Sequence, residues 1–243
     1  MTKGYGDCIK LTRILDSVRP LFEHDLIPGA DLSVRSRNGQ MLSPPVQSVA
    51  PGVIEALRDA TRSRHAQLGA SPAMSRLFDA SYTIPEYQSH LGRLLGLFEP
   101  LECAVACAAD PGNLVRTLER SSALREDLTI MGATASDIDA LERCCWLPRI
   151  EPAGLYGYAY VILGSMMGGK IIVKRLRTIL GPAASFHFYG DGNGGSESLW
   201  ASFCSDLEKN GKDDKEAICA TAVGIFDAYA SWLSEPILQK GNR

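Results

Sequence analysis

The chain has 243 residues, 45% of them hydrophobic, and a formal net charge of −3. This size and composition are typical of one globular domain with a sizeable core. The slightly acidic balance, with no block of lysine and arginine, argues against nucleic-acid binding. The seven cysteines are odd in number and include no C-x-x-C pair. We therefore expect reduced thiols in a cytoplasmic protein rather than a disulfide framework.

Residues 1–50 differ from the rest of the chain and are expected to be an appendage that is partly linker. Charged residues interrupt their start, so we expect no secretory signal. Apolar spacing predicts a short helix at Leu11–Phe22, and an Asn-Gly pair predicts a hairpin within Asp31–Met41. Residues 51–236 are expected to form a helical domain, followed by a tail at 237–243.

From Pro51 onward the apolar spacing is helical almost to the end, so the predicted fold class is all-α, a compact multi-helix bundle. Pro100 is expected to kink or split the long third helix, and Ser136 with Asp139 to open the fifth. Gly181–Pro182 is expected to stop the sixth. The predicted helices cover Pro51–Leu68, Ser71–Asp79, Ile84–Ala109, Asn113–Ile130, Ser136–Cys145, Ala153–Leu180, Glu197–Glu208 and Lys215–Trp232.

The uncharged stretch Pro152–Gly169 reaches the length of a membrane span. It contains several glycines and tyrosines, and Lys170, Lys174 and Arg175 follow it closely. A buried core helix is the better interpretation, and no membrane span is predicted.

Three glycines, Gly157, Gly164 and Gly168, share one face of the predicted helix Ala153–Leu180. Each glycine inside a helix costs roughly 0.5–1 kcal/mol relative to alanine, so a bare backbone face needs a reason. Two reasons are open, the close packing of another helix and the close approach of a planar ligand. The flanking Ser165 and Gly169 widen the bare face and favour the ligand.

A histidine, His65, lies on the apolar face of the first helix, where such a residue is most often part of the core. Arg58 lies two turns earlier on the same side, about 10 Å away at roughly 1.5 Å per residue. A histidine with a cation at that distance suits a metal-centred planar ligand that carries peripheral carboxylates. A solvated surface charge is the alternative for Arg58.

Three segments resemble those of bacterial heme oxygenases in order and spacing, over about residues 55–235. The run L-R-D-A-T-R-S-R-H-A-Q-L at Leu57–Leu68 resembles the helix that supplies the proximal histidine. The run Y-A-Y-V-I-L-G-S-M-M-G-G at Tyr158–Gly169 is similar to the distal helix. The run F-H-F-Y-G at Phe186–Gly190, followed by Trp200 and Phe203, is similar to the aromatic loop and the helix after it.

The resemblance implies a heme oxygenase-like bundle with heme between the proximal and distal helices. Heme would be both cofactor and substrate, with its iron bound by His65. Arg58 and Tyr160 would contact the heme propionates. The implied distal residues are Gly164, Gly168 and Gly169, with Ser165 ordering water.

The implied reaction is oxidative ring opening of heme to biliverdin, with release of carbon monoxide and ferrous iron. It uses O2 and electrons from a ferredoxin or flavoprotein reductase, since the sequence shows no flavin or nucleotide site. Two purposes stay open, chromophore supply to a photoreceptor and iron acquisition.

Two departures from the family pattern keep other functions open. Ser165 stands where many members have a carboxylate, and Gly69 where they often have an acid that orients the proximal histidine. One alternative is a heme-binding sensor or carrier without turnover. Another is a thiaminase-like or quinone-cofactor-synthesis-like enzyme on the same helical fold.

Overall fold

The computed structural model describes residues 51–108, 118–190 and 195–234, so the elements predicted within residues 1–50 and the tail at 237–243 lie outside it. The described residues form eight α-helices, two short 3₁₀ turns and no strand, which confirms the all-α class. The helices are α1 (Val53–Gly69), α2 (Pro72–Arg76), α3 (Ile84–Ala108), α4 (Ser121–Ile130), α5 (Ala135–Asp139), α6 (Leu155–Leu180), α7 (Ser196–Asn210) and α8 (Lys215–Ser234).

Helix α8 occupies the centre of the bundle and packs against α1, α2, α3 and α6. Its residues Ile218, Ala222 and Ile225 are buried. By length and composition α8 is the one helix of the described residues that is apolar enough to cross a membrane. Its contacts with four other helices explain this apolar composition, because a central helix buries residues on several faces.

Helix α3 runs unbroken through Pro100, so the expected split is wrong. Proline lacks the N–H that would bond the carbonyl four residues earlier, here that of Gly96. The Gly96 carbonyl instead accepts a hydrogen bond from the Cys144 N–H at 2.8 Å. The segment after α5 thus replaces the missing helical bond.

Helix α5 starts earlier than the predicted Ser136–Cys145 and is much shorter. Its N-cap is Thr134, not Ser136. The Thr134 hydroxyl accepts from the Asp137 N–H at 3.2 Å, and the Asp137 carboxylate accepts from the Thr134 N–H at 2.9 Å, which makes a capping box. The chain after α5 is irregular because the Cys144 N–H is bonded to α3 instead of to a helical turn.

The start of α4 also depends on α3. The prediction placed a helix over Asn113–Ile130, but within the described residues the helix begins at Ser121. The Glu102 carboxylate of α3 accepts from the N–H groups of Arg120 at 2.6 Å and of Ser121 at 3.0 Å. A side chain from another helix therefore caps α4 and fixes its first residue.

The end of α6 is where the sequence placed it. Gly181 has φ of 68°, in the left-handed region that glycine adopts without strain, and its N–H bonds the Arg177 carbonyl. Pro182 follows and cannot continue the helix.

Candidate functional site

One face of α1 carries the two residues that the sequence singled out. Arg58, Thr61 and His65 are spaced by three and four residues and so share that face. The buried Thr61 hydroxyl donates to the Leu57 carbonyl at 2.7 Å, and its oxygen lies 3.3 Å from the Tyr160 hydroxyl oxygen. Because the single Thr61 proton is engaged, Tyr160 is the donor. This hydrogen bond joins the face of α1 to α6.

Two glycines of α6 that are predicted to be distal residues lie close to Tyr160 around the helix axis. Gly164 and Gly168 lie one and two turns beyond Tyr160, within about 80° of it around a helix of 3.6 residues per turn. A Cβ atom placed on Gly168 would meet nothing within 4 Å. The contact between Thr61 and Tyr160 thus places part of this face of α1 beside α6, and Gly168 has open space next to it.

The imidazole of His65 has the protonation state that metal binding requires. Its ring is half-buried and lies edge-on to the ring of Phe226 in α8, with centroids 6.0 Å apart. Burial lowers the pKa of His65 below its usual 6.5. The imidazole is therefore neutral at pH 7, the form in which histidine binds a metal.

The guanidinium of Arg58 is only partly satisfied. Its Nε atom is buried and has no hydrogen-bond partner among the described residues. Its charge opposes the rise in the pKa of Tyr160 that burial causes, so it acts on that hydroxyl from close by. A buried donor without a partner costs about 1–3 kcal/mol, which an anionic ligand would recover.

The side chain of Tyr160 is buried and its ring packs against Trp200, with centroids 5.8 Å apart. Its hydroxyl proton goes to Thr61, so only its lone pairs remain. Lone pairs do not suit a carboxylate, which accepts hydrogen bonds. This geometry favours the packing interpretation of Tyr160 over a propionate contact.

The side chain of Ser165 is exposed, and its hydroxyl donates to the Ile162 carbonyl at 2.7 Å. Its proton is therefore engaged within α6, and its lone pairs remain to accept hydrogen bonds from water.

The glycines of α6 divide between packing and open space. A Cβ on Gly157 would lie 2.3 Å from the Ile218 carbonyl oxygen of α8, so Gly157 allows close helix packing. A Cβ on Gly169 would lie 2.8 Å from the Tyr189 carbonyl oxygen. Gly168 has no such neighbour. Close packing therefore accounts for Gly157 and Gly169 but not for Gly168.

Two residues that sequence reasoning could not connect form a buried pair. The Nε2 atom of His90 on α3 lies 2.6 Å from the hydroxyl oxygen of Tyr189. Burial lowers the pKa of His90 to about 4, so its ring is neutral. Because 99 residues separate the two, no local pattern could have joined them.

A buried carboxylate holds the aromatic loop. Asp127 of α4 accepts hydrogen bonds from the Ser185 hydroxyl at 2.6 Å and from the N–H groups of His187 at 2.7 Å and Phe188 at 2.9 Å. The only sequence signal for this role is the place of Asp127 among the apolar positions of α4.

A cleft of about 560 Å³ lies away from these residues, between the end of α3 and the segment after α5. Its lining includes Cys107, Cys144 and Cys145. Within the described ranges, no group of three or more histidine, cysteine or acidic side chains is placed to hold a metal ion.

The family model described as heme oxygenase matches residues 52–235, a range that includes every predicted site residue. The structure of heme oxygenase from Leptospira interrogans is similar, with a TM-score of 0.58 and 20% identity. The match covers 76% of this chain and 99% of that one. No curated protein matches the sequence significantly. At this identity the structural likeness shows a shared fold.

Proposed function

The chain belongs to the heme oxygenase family, and we propose that it opens the heme ring to biliverdin, releasing carbon monoxide and ferrous iron. O2 and an external electron donor, a ferredoxin or flavoprotein reductase, complete the reaction. The observation that carries the proposal is the neutral His65 on the face of α1 that contacts α6 at Tyr160, one turn before Gly164. Family membership supports heme as the substrate of that site.

The residues present fit a heme between α1 and α6. His65 would hold the heme iron, because a neutral imidazole is a usual donor to that metal. The buried Nε of Arg58 has no partner and would donate to a propionate. Bound heme supplies the redox-active iron and the ring carbon that is oxidised.

The glycines of the proposed distal surface contribute by leaving room for the substrate beside α6. Gly164 and Gly168 present backbone without side chains, which lets a flat ring approach α6 closely. No side chain of α6 stands at Gly168 to contact the substrate. The lone pairs of Ser165 would hold a water molecule beside this surface.

A hemin spectrum tests the proposal. The protein is mixed with one equivalent of hemin, a reduced ferredoxin system is added in air, and the Soret band is followed. We expect a histidine-type Soret band that decays while the broad red absorption of biliverdin grows. A Soret band that persists would replace the enzyme with a heme sensor or carrier. A spectrum unchanged from that of free hemin would overturn both heme functions.

A matched pair of histidine variants assigns the axial ligand. His65→Ala should weaken hemin binding by more than about ten-fold, the loss that even removal of a residue supporting a metal ligand causes. His187→Ala, in the half-exposed part of the aromatic loop, should bind hemin as the wild type does. Equal binding by all three proteins would remove His65 from the site.

A further inference from the structure

The loop between α6 and α7 contacts α6 at Gly169 and limits how far the helix can move there. The carbonyl oxygen of Tyr189 lies where a Cβ on Gly169 would stand 2.8 Å away. Gly168, the next residue, faces open space. Adjacent residues of a helix move together, so a shift of the Tyr189 backbone would move the open face at Gly168.

Hydrogen bonds from two directions fix the backbone of this loop. Asp127 accepts from the N–H groups of His187 and Phe188. Arg120 donates to the Phe188 carbonyl. The Gly190 N–H closes the turn on the Phe186 carbonyl at 2.6 Å. The backbone on the N-terminal side of Tyr189 is therefore well held.

The side chain of Tyr189 provides the remaining anchor. It is buried, and its hydroxyl oxygen lies 2.6 Å from the Nε2 atom of His90. The two rings are nearly parallel, with an interplanar angle of 11° and centroids 6.1 Å apart. His90 itself is buried in the first half of helix α3. The pair thus ties the loop at Gly169 to the core.

We propose that Tyr189 and His90 are positioning residues. Their hydrogen bond holds the Tyr189 carbonyl against Gly169 and so sets the distance between α6 and the substrate. The inference rests on the proposed function, because that distance matters only if a ring is oxidised next to Gly168. Misplacement of about 1 Å can change a rate by as much as about 100-fold, so a support behind the helix can control the chemistry.

Tyr189→Phe removes the hydroxyl and keeps the ring. Tyr87→Phe is the matched control, since Tyr87 lies in the same aromatic cluster, 6.5 Å from Tyr189 between ring centroids. The Tyr87 hydroxyl is buried and has no hydrogen-bond partner among the described residues. Both substitutions remove one buried oxygen, but only Tyr189→Phe breaks a hydrogen bond.

The first measurement is amide hydrogen exchange of the full chain without heme. We expect Tyr189→Phe to speed exchange around Gly168 and Gly169 by about ten-fold relative to wild type, because local opening follows the loss of local support. Tyr87→Phe should leave it unchanged. Unchanged exchange in Tyr189→Phe would overturn the proposal, whatever the protein does with heme.

The second measurement is the yield of biliverdin per electron consumed, together with hydrogen peroxide release. We expect Tyr189→Phe to bind hemin with the wild-type affinity but to lower this yield by about half or more, since misplaced groups divert the reaction rather than prevent binding. A wild-type yield would overturn the functional part of the proposal. Absence of turnover by the wild type would contradict the proposed function. The exchange result would still show whether the hydrogen bond between Tyr189 and His90 supports α6.

A conservative replacement separates position from fold. His90→Gln keeps a hydrogen-bonding group near the place of Nε2, and it should restore most of the biliverdin yield that His90→Leu loses. Equal loss in both variants, at a temperature where both are folded, would show that only core packing matters at this position and would overturn the role of the hydrogen bond.

Discussion

At the scale of single residues, Arg58 is informative because one nitrogen of its guanidinium is buried without a described hydrogen-bond partner. A surface arginine normally keeps its guanidinium in water or in an ion pair, as exposed Arg62 does with Asp59. The Nε of Arg58 has neither a described partner nor contact with solvent. Such a group is destabilising in the unliganded protein and becomes favourable when an anion binds.

Arg58→Gln should therefore weaken hemin binding without destabilising the unliganded protein. Loss of a charge-assisted hydrogen bond, roughly 1.5–3 kcal/mol, corresponds to about ten-fold or more in Kd. Arg62→Gln on the same helix is the control and should change neither property. Titration of hemin and urea unfolding measure the two effects. A large loss of stability in Arg58→Gln, with unchanged hemin affinity, would mean that Arg58 is a structural residue.

At the scale of elements, the glycines of α6 differ in their surroundings. Gly157 faces α8, where the Ile218 carbonyl leaves no room for a Cβ. Gly168 faces open space, and nothing in its packing requires glycine. The proposed approach of a ligand would account for a glycine at a position where alanine is the better helix former.

The contrast between Gly157→Ala and Gly168→Ala tests this division. Gly157→Ala should destabilise the protein by about 1–3 kcal/mol, because overpacking forces α6 and α8 apart. Gly168→Ala should leave stability unchanged or raise it by about 0.5–1 kcal/mol through helix propensity. Only Gly168→Ala should lower heme conversion while the fold is intact. Urea unfolding and the Soret assay measure the two effects, and wild-type conversion by a stable Gly168→Ala would remove Gly168 from the distal surface.

At the scale of the whole molecule, a buried neutral histidine makes stability depend on pH. The unfolded chain protonates His90 near its ordinary pKa of 6.5, whereas the folded chain does so only near pH 4. Between these values the unfolded state binds more protons, so the free energy of unfolding falls as the pH falls from 6.5 to 4. Above pH 6.5 the contribution is fully present.

Wild-type protein should lose on the order of 3 kcal/mol more stability than His90→Gln between pH 7.5 and pH 4. Urea unfolding of both proteins at several pH values measures the difference. His65, whose pKa burial also lowers, is present in both proteins and cancels in the comparison. Parallel pH profiles would show that the folded protein protonates His90 at its ordinary pKa and that burial does not lower this pKa.

The sequence by itself determined the all-α class, most helix bounds and the candidate residues of the site. These depend on local physics, namely the spacing of apolar residues, glycine and proline at helix ends, and residues of α1 and α6 that share a face by periodicity. His65 and Gly168 could be placed on helix faces in this way because each lies in a continuous helical pattern, whereas their heme roles came from the resemblance to heme oxygenases.

The tertiary structure alone decided which distant groups form hydrogen bonds with the backbone atoms that local structure leaves unpaired. The Cys144 N–H satisfies the Gly96 carbonyl that Pro100 leaves unpaired, and the Glu102 carboxylate of α3 sets the start of α4. The partners in each case come from distant segments, and a hydrogen bond leaves no periodic trace in either of them. The bond between His90 and Tyr189 belongs to the same class, since burial of polar groups requires partners but does not say from where in the chain they come.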